Sequence, residues 1–204
     1  PSGTRLPWDS PLIRREGLIP GSISGSPAAV ANALTSALRY AITARFLHTG
    51  SSVAIHINGG TTSKDKGYRI EVDGEDVTGL VRFATARTVR IDFTIPKQRE
   101  IRVELGGMQF GGIDVSVDST VAAPPARLKL AVYGDSWVEG ASYGPDGNDP
   151  HIAHMGYLTG KLLGMDVYVH GIGGTGYVNR APDDHYGAPA RLAPFLDTVK
   201  PDWW

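Results

Sequence analysis

The chain has no cysteine. Disulfides and thiolate metal sites are therefore excluded, and the compartment stays open, because many secreted proteins also lack the residue. Net charge is almost absent as well. The sequence carries 20 basic and 21 acidic residues, a formal charge of −1. That balance argues against nucleic acid or an anionic membrane as the main partner. No apolar run approaches the roughly 20 residues needed to cross a bilayer. No signal-peptide pattern opens the chain, which starts at Pro1.

What is present is turn chemistry and alternation. There are 26 glycines and 14 prolines in 204 residues, 41% of them hydrophobic. This predicts one large or two small domains with real cores, short strands and many turns. Residues 1–40 read as an extended arm with turns, carrying a short helix over 28–40 that Ser26 caps and Pro27 starts. Residues 41–121 read as an antiparallel β-sandwich. Six segments alternate in polarity: Ile42–Leu47, Val53–Ile57, Tyr68–Val72, Thr88–Ile95, Ile101–Leu105 and Ile113–Val117. Each puts one polar and one apolar face forward. Asp73-Gly74 is a hairpin signal. Residues 122–127, with Pro124 and Pro125, read as a stiff linker.

After residue 127 the period changes. Leu128–Tyr133 is a strand, His151–Leu163 a helix stopped by Gly164, Asp166–Val169 a strand, and 188–199 a helix. Ile152, Met155, Leu158 and Leu162 fall roughly on one face of the first helix. Pro201-Asp202-Trp203-Trp204 reads as the opening of a third strand. Strand, helix, strand, helix, strand predicts a parallel sheet, whose ligands bind beyond the carboxyl ends of the strands. The last strand opens as the sequence stops, so the chain is expected to be a segment of a longer protein.

Two features fall at that edge. The first strand ends in Gly134-Asp135-Ser136, and the second runs into Gly171-Ile-Gly-Gly-Thr-Gly176. A serine at a sharp strand end can present its hydroxyl as a nucleophile, although an ordinary serine cap looks the same. The glycine cluster could supply backbone N–H donors to an oxyanion, cradle a phosphate or simply form a tight turn. It does not fit the dinucleotide fingerprint, because it follows the second strand and the next helix arrives late.

Together the two resemble the SGNH (GDSL-like) hydrolases. Leu130-Ala-Val-Tyr-Gly-Asp-Ser-Trp-Val-Glu-Gly140 is similar to the first block of that family, with Trp137 where leucine is common. Val169-His-Gly-Ile-Gly-Gly-Thr-Gly-Tyr177 is similar to the second. The resemblance covers residues 128–204. It implies the N-terminal portion of a flavodoxin-like α/β/α three-layer hydrolase domain. It also implies Ser136 as nucleophile and an oxyanion hole built from the backbone N–H groups of Ser136 and Gly174, with Gly173 as the fallback. Asp135, Trp137 and His170 fall near that site. The family's third block supplies an oxyanion asparagine, and its last block an Asp-x-x-His with the base. Neither block follows in this sequence.

The sandwich is loosely similar to the jelly-roll-like domains that precede the hydrolase in some carbohydrate esterases. The resemblance thus implies a serine esterase acting on acyl, chiefly acetyl, esters of a carbohydrate or cell-surface glycan, with no metal or organic cofactor. The expected partner is an ester-bearing small molecule or polysaccharide. Assembly into a larger complex or homo-oligomer is compatible with it, in an extracellular, cell-surface or virion-associated setting. The alternative is a structural or glycan-binding component, such as a phage-tail or appendage protein, with an active or degenerate hydrolase domain. His151, His154 and Asp149 could be read as metal ligands, but a loop or surface placement is the simpler reading for them and for His170 and His185.

Overall fold

The computed structural model describes residues 3–17, 41–58, 66–82, 85–139, 151–171 and 188–202. The helix expected over 28–40 lies outside these residues. The first eleven strands are β1 Thr4–Leu6, β2 Arg14–Glu16, β3 Ala41–Thr49, β4 Ser52–Asn58, β5 Gly67–Val72, β6 Glu75–Asp76, β7 Val81–Arg82, β8 Arg87–Asp92, β9 Arg99–Gly106, β10 Gln109–Val115 and β11 Thr120–Ala122. Then come β12 Lys129–Gly134, α1 Ser136–Glu139, a 3-10 turn His151–Ala153, α2 Met155–Leu162, β13 Asp166–Gly171 and α3 Ala188–Val199.

The first eleven strands form two antiparallel sheets. One runs β1-β10-β4-β8; the other runs β11-β3-β9-β5-β6, with β2 paired to β3 and β7 to β5. Alternation explains how they stack. Ile42, Ala44 and Phe46 of β3, Ile101, Val103 and Leu105 of β9, and Tyr68 and Ile70 of β5 point the same way. They meet Val53, Ile55 and Ile57 of β4 and Phe110, Ile113 and Val115 of β10 in one core. The hairpin at Asp73-Gly74 forms as expected. Both residues have positive φ (54° and 86°), the pairing of angles that suits the twist of two adjoining antiparallel strands.

Several elements depart from the expectation. The segment read as an extended arm is woven into both sheets: β1 pairs with β10, and β2 pairs with β3. The fourth alternating segment stops pairing at Asp92, so Ile95, which continues its apolar period, stands 67% exposed. The proline-rich stretch before β12, read as a linker, is docked on the sandwich. The Pro124 carbonyl accepts a 2.6 Å bond from Arg14 Nε, and Arg127 pairs with Glu100 at 2.8 Å.

β12 and β13 form a two-stranded parallel sheet. Leu158 and Ile152 pack with Val132, Val167 and Val169, while Phe195 and Val199 of α3 pack with Ala131, Tyr133 and Tyr168. Of the four apolar residues read on one face of the helix expected over 151–163, Ile152 and Leu158 pack inward and Met155 and Leu162 do not. Met155 and Leu162 are 80% and 87% exposed, whereas Tyr157 and Gly160 are buried. Two facts account for this. Ile152 belongs to the separate 3-10 turn, so the four apolar residues do not share one helical face. Gly156 and Gly160, one turn apart, let α2 lie directly on the strands. A Cβ on Gly160 would sit 2.4 Å from Val167 Cγ2, and one on Gly156 2.9 Å from Val132 Cγ1. Gly164 follows the end of α2, and its φ of +67° permits the turn into β13. Of the expected third strand, Pro201 and Asp202 are described and are not in a strand. Asp202 is nonetheless bonded to Lys129 twice, through its own N–H and its carboxylate. No helix among the described residues is long and apolar enough to cross a membrane.

Candidate active site

The strand β12 ends at Gly134 because the chain folds back on itself there. A Cβ at Gly134 would lie 2.5 Å from Val138 Cγ2, closer than any real side chain tolerates. The turn is held by Asp135. Its Oδ1 accepts the Trp137 N–H at 2.9 Å, and its carbonyl accepts the Val138 N–H at 3.1 Å. Both donors are among the first N–H groups of a helix, which have no partner within it, so Asp135 caps α1. Ser136 is therefore the first residue of α1, directly beyond the carboxyl end of β12.

The second strand ends level with the first. In the parallel register Tyr133 is opposite His170 and Gly134 is opposite Gly171. The backbone thus brings the serine turn and the start of the glycine cluster to one edge of one sheet, on neighbouring strands. Gly173, Gly174, His185 and Asp149 lie outside the described residues. His170 is the penultimate residue of β13, and His154 immediately precedes α2. Trp137 is 73% exposed. Among the described residues, no group of three or more histidines and carboxylates is placed to hold a metal ion.

The edge rests on a charged layer that alternation alone misassigns. The polar faces of β3, β5 and β9 look like solvated faces in sequence. Here α2 and β13 cover them. Arg45 of β3 is fully buried, bonded to Glu16 of β2 and to Asp166, the first residue of β13, at 2.8 Å. Glu100 of β9 stands 3.4 Å from the same guanidinium. Alongside, the buried Tyr157 hydroxyl meets Thr43 Oγ1 at 2.7 Å and accepts from Arg102 at 3.1 Å. Lys161 reaches Glu71, and Glu104 at 3.1 Å, while Arg69 and Arg102 also hold Glu104.

These contacts set the protonation of the layer. Burial pushes the Glu16 carboxyl up to about 7; the Asp166 carboxylate adds to this and Arg45 opposes it. Burial also raises Glu104, but Arg102, Arg69 and Lys161 outweigh it and hold that carboxyl below its ordinary value. Burial pushes the Tyr157 phenol well above its ordinary value, keeping it a neutral hydrogen-bonding group. The one signal in sequence for this layer was the pairing of opposite charges two residues apart, Arg69 with Glu71 and Arg102 with Glu104.

No family model matches the chain, and no curated protein matches it by sequence. Solved structures do match. A family two carbohydrate esterase from Cellvibrio japonicus aligns over 100% of this chain and 63% of its own, at a TM-score of 0.66 and 17% identity. The chain shares the fold of that esterase. A salicylyl-acyltransferase from a tetracycline biosynthetic pathway aligns over 84% of this chain and 54% of its own, at a TM-score of 0.56 and 13% identity. A GDSL-like lipase from Bacteroides ovatus, described as putative, aligns over 94% and 63%, at a TM-score of 0.51 and 16% identity. The chain thus spans between half and two thirds of the length of these structures. The likeness to the carbohydrate esterase runs through sandwich and parallel strands together, since it covers the whole chain.

Proposed function

We propose that this chain carries the nucleophile and part of the oxyanion hole of an SGNH-type serine esterase that removes acyl groups, chiefly acetyl, from a carbohydrate. The observation that carries the reading is the level ending of β12 and β13, Gly134 opposite Gly171, with Ser136 opening α1 at that edge. The fold shared with a carbohydrate esterase, an acyltransferase and a GDSL-like lipase supports acyl transfer as the chemistry. On this reading β12 and β13, with α2 and α3 on their two faces, begin the three-layer hydrolase domain. The jelly-roll-like sandwich precedes it.

In the proposed mechanism Ser136 Oγ attacks the ester carbonyl carbon. The oxyanion that forms is held by the backbone N–H groups of Ser136 and Gly174, with Gly173 in reserve. Asp135 keeps the turn in shape by capping α1. A base takes the Oγ proton and returns it to the leaving alcohol as the ester C–O bond breaks. Water then hydrolyses the acyl-serine. The base and an oxyanion asparagine are supplied by groups other than those described here. A glycan substrate would place the reaction outside the cell.

The test is p-nitrophenyl acetate hydrolysis by the full-length protein and its Ser136→Ala variant. Hydrolysis lost in the variant, with the unfolding midpoint retained, is the expected result. Equal rates in both proteins exclude Ser136 as nucleophile. An inactive parent that still binds glycan favours the alternative of a binding component with a degenerate hydrolase domain.

A further inference from the structure

We propose that Trp137 is the specificity-determining residue of this site, laying its indole against the ring of the pyranose that bears the ester. The inference rests on the serine-esterase reading above and names the part of the substrate that Trp137 recognises.

The argument begins with what α1 needs in order to fold. Val138 anchors the helix, because its methyls fill the space over Gly134. Asp135 caps it by holding the Trp137 N–H at 2.9 Å. The Trp137 backbone is thereby fixed one residue after the proposed nucleophile. Its side chain is the largest in α1, yet it stays 73% exposed. Burying so large an apolar side chain would stabilise the fold, and most of that gain is forgone here.

Among the described residues, every other exposed large hydrophobic is aliphatic: Leu, Val, Ile or Met. An indole offers a flat, electron-rich face and a single N–H donor at its rim. A pyranose offers the complement, a face of polarised C–H groups with hydroxyls around its edge. Stacking would bury the two apolar faces and leave the hydroxyls in water. An acyclic alcohol has no such face. A leucine or alanine at this position could not make the distinction.

The experiment uses the full-length protein and two esters of acetic acid: a mono-O-acetyl methyl glucopyranoside and ethyl acetate. The readout is the ratio of kcat/KM for the sugar ester to that for ethyl acetate. An aromatic contact of ordinary strength predicts that Trp137→Ala lowers this ratio by ~10-fold, chiefly through KM for the sugar ester. Trp137→Phe, which keeps an aromatic face, restores most of it. A ratio that stays the same in Trp137→Ala, whether both activities fall together or neither changes, overturns the inference and leaves the esterase reading standing. A parent protein that hydrolyses neither ester overturns both.

Discussion

Arg45, on the second sheet of the sandwich, donates through Nη2 to Asp166, the residue that opens β13, at 2.8 Å. The bond joins the β-sandwich to the strand whose far end carries the glycine cluster. Arg45 is 0% exposed, and Glu16, its other carboxylate partner, is 2% exposed. Two parts of the chain that differ in sequence texture are thus fastened through a buried charge. The strand ends that form the candidate site stand on this joint.

Arg45→Met should therefore act on the whole molecule. It strands Glu16 and Asp166 without a cation, and breaking a buried ion pair from one side costs ~3–5 kcal/mol. Urea unfolding should show a lower midpoint. An unchanged midpoint would mean that the joint contributes nothing to stability.

The joint also predicts a pH dependence. Glu16 has its carboxyl pushed up to about 7 from an ordinary 4.5. The folded state thus binds its proton more tightly than the unfolded chain does. The stability it contributes is complete below pH 4.5 and is lost as pH rises through about 7. The full change is ~3 kcal/mol. His48 works the other way, because burial lowers it and stability is lost as pH falls below its ordinary 6.5. The comparison with Glu16→Gln separates the two. The difference in unfolding free energy between parent and variant should shift in the variant's favour between roughly pH 5 and pH 8. A pH-independent difference would contradict the assignment.

Gly160→Ala tests the contact of α2 with the strands. Replacing a helical glycine by alanine is worth ~1 kcal/mol in propensity. Against this, the new Cβ would meet Val167 Cγ2 at 2.4 Å and Leu130 Cδ2 at 3.1 Å. Overpacking of this kind costs ~1–3 kcal/mol, and β-branched valine has little rotamer freedom to move aside. The variant should melt at a lower temperature than the parent; a higher melting temperature would show that α2 is free to lift off the sheet.

Gly134→Ala tests the candidate site itself. The added methyl would lie 2.5 Å from Val138 Cγ2, so α1 must shift, and Ser136 with it. A displacement of about 1 Å can cost ~100-fold in rate. Esterase activity of the full-length protein should fall by at least ~10-fold, with far-UV circular dichroism unchanged. Full activity would place the reacting group elsewhere.

Much of this protein is determined by sequence alone, and the reason is local. Side-chain alternation at period two marks β3, β4, β5, β9 and β10 without reference to any neighbour, and Asp73-Gly74 and Gly164 mark turns because their backbone angles favour those residues. The helix read over 188–199 has the bounds of α3, Ala188–Val199. The short strands β1 and β2 are different: three residues each carry too little pattern to be seen, and their pairing partners lie far along the chain. Gly134-Asp135-Ser136 was legible as a turn, and the structure adds that its strand ends level with Gly171.

Alternation says that Arg45, Glu71, Arg102 and Glu104 share the polar side of their sheet, but not what lies over that side. Only tertiary structure decided that α2 and β13 cover it. The same holds for Met155 and Leu162, apolar in sequence and exposed in the fold because two glycines turn another side of α2 to the strands. Periodicity fixes which residues face the same way; what they face depends on elements distant in sequence, and only packing brings those together.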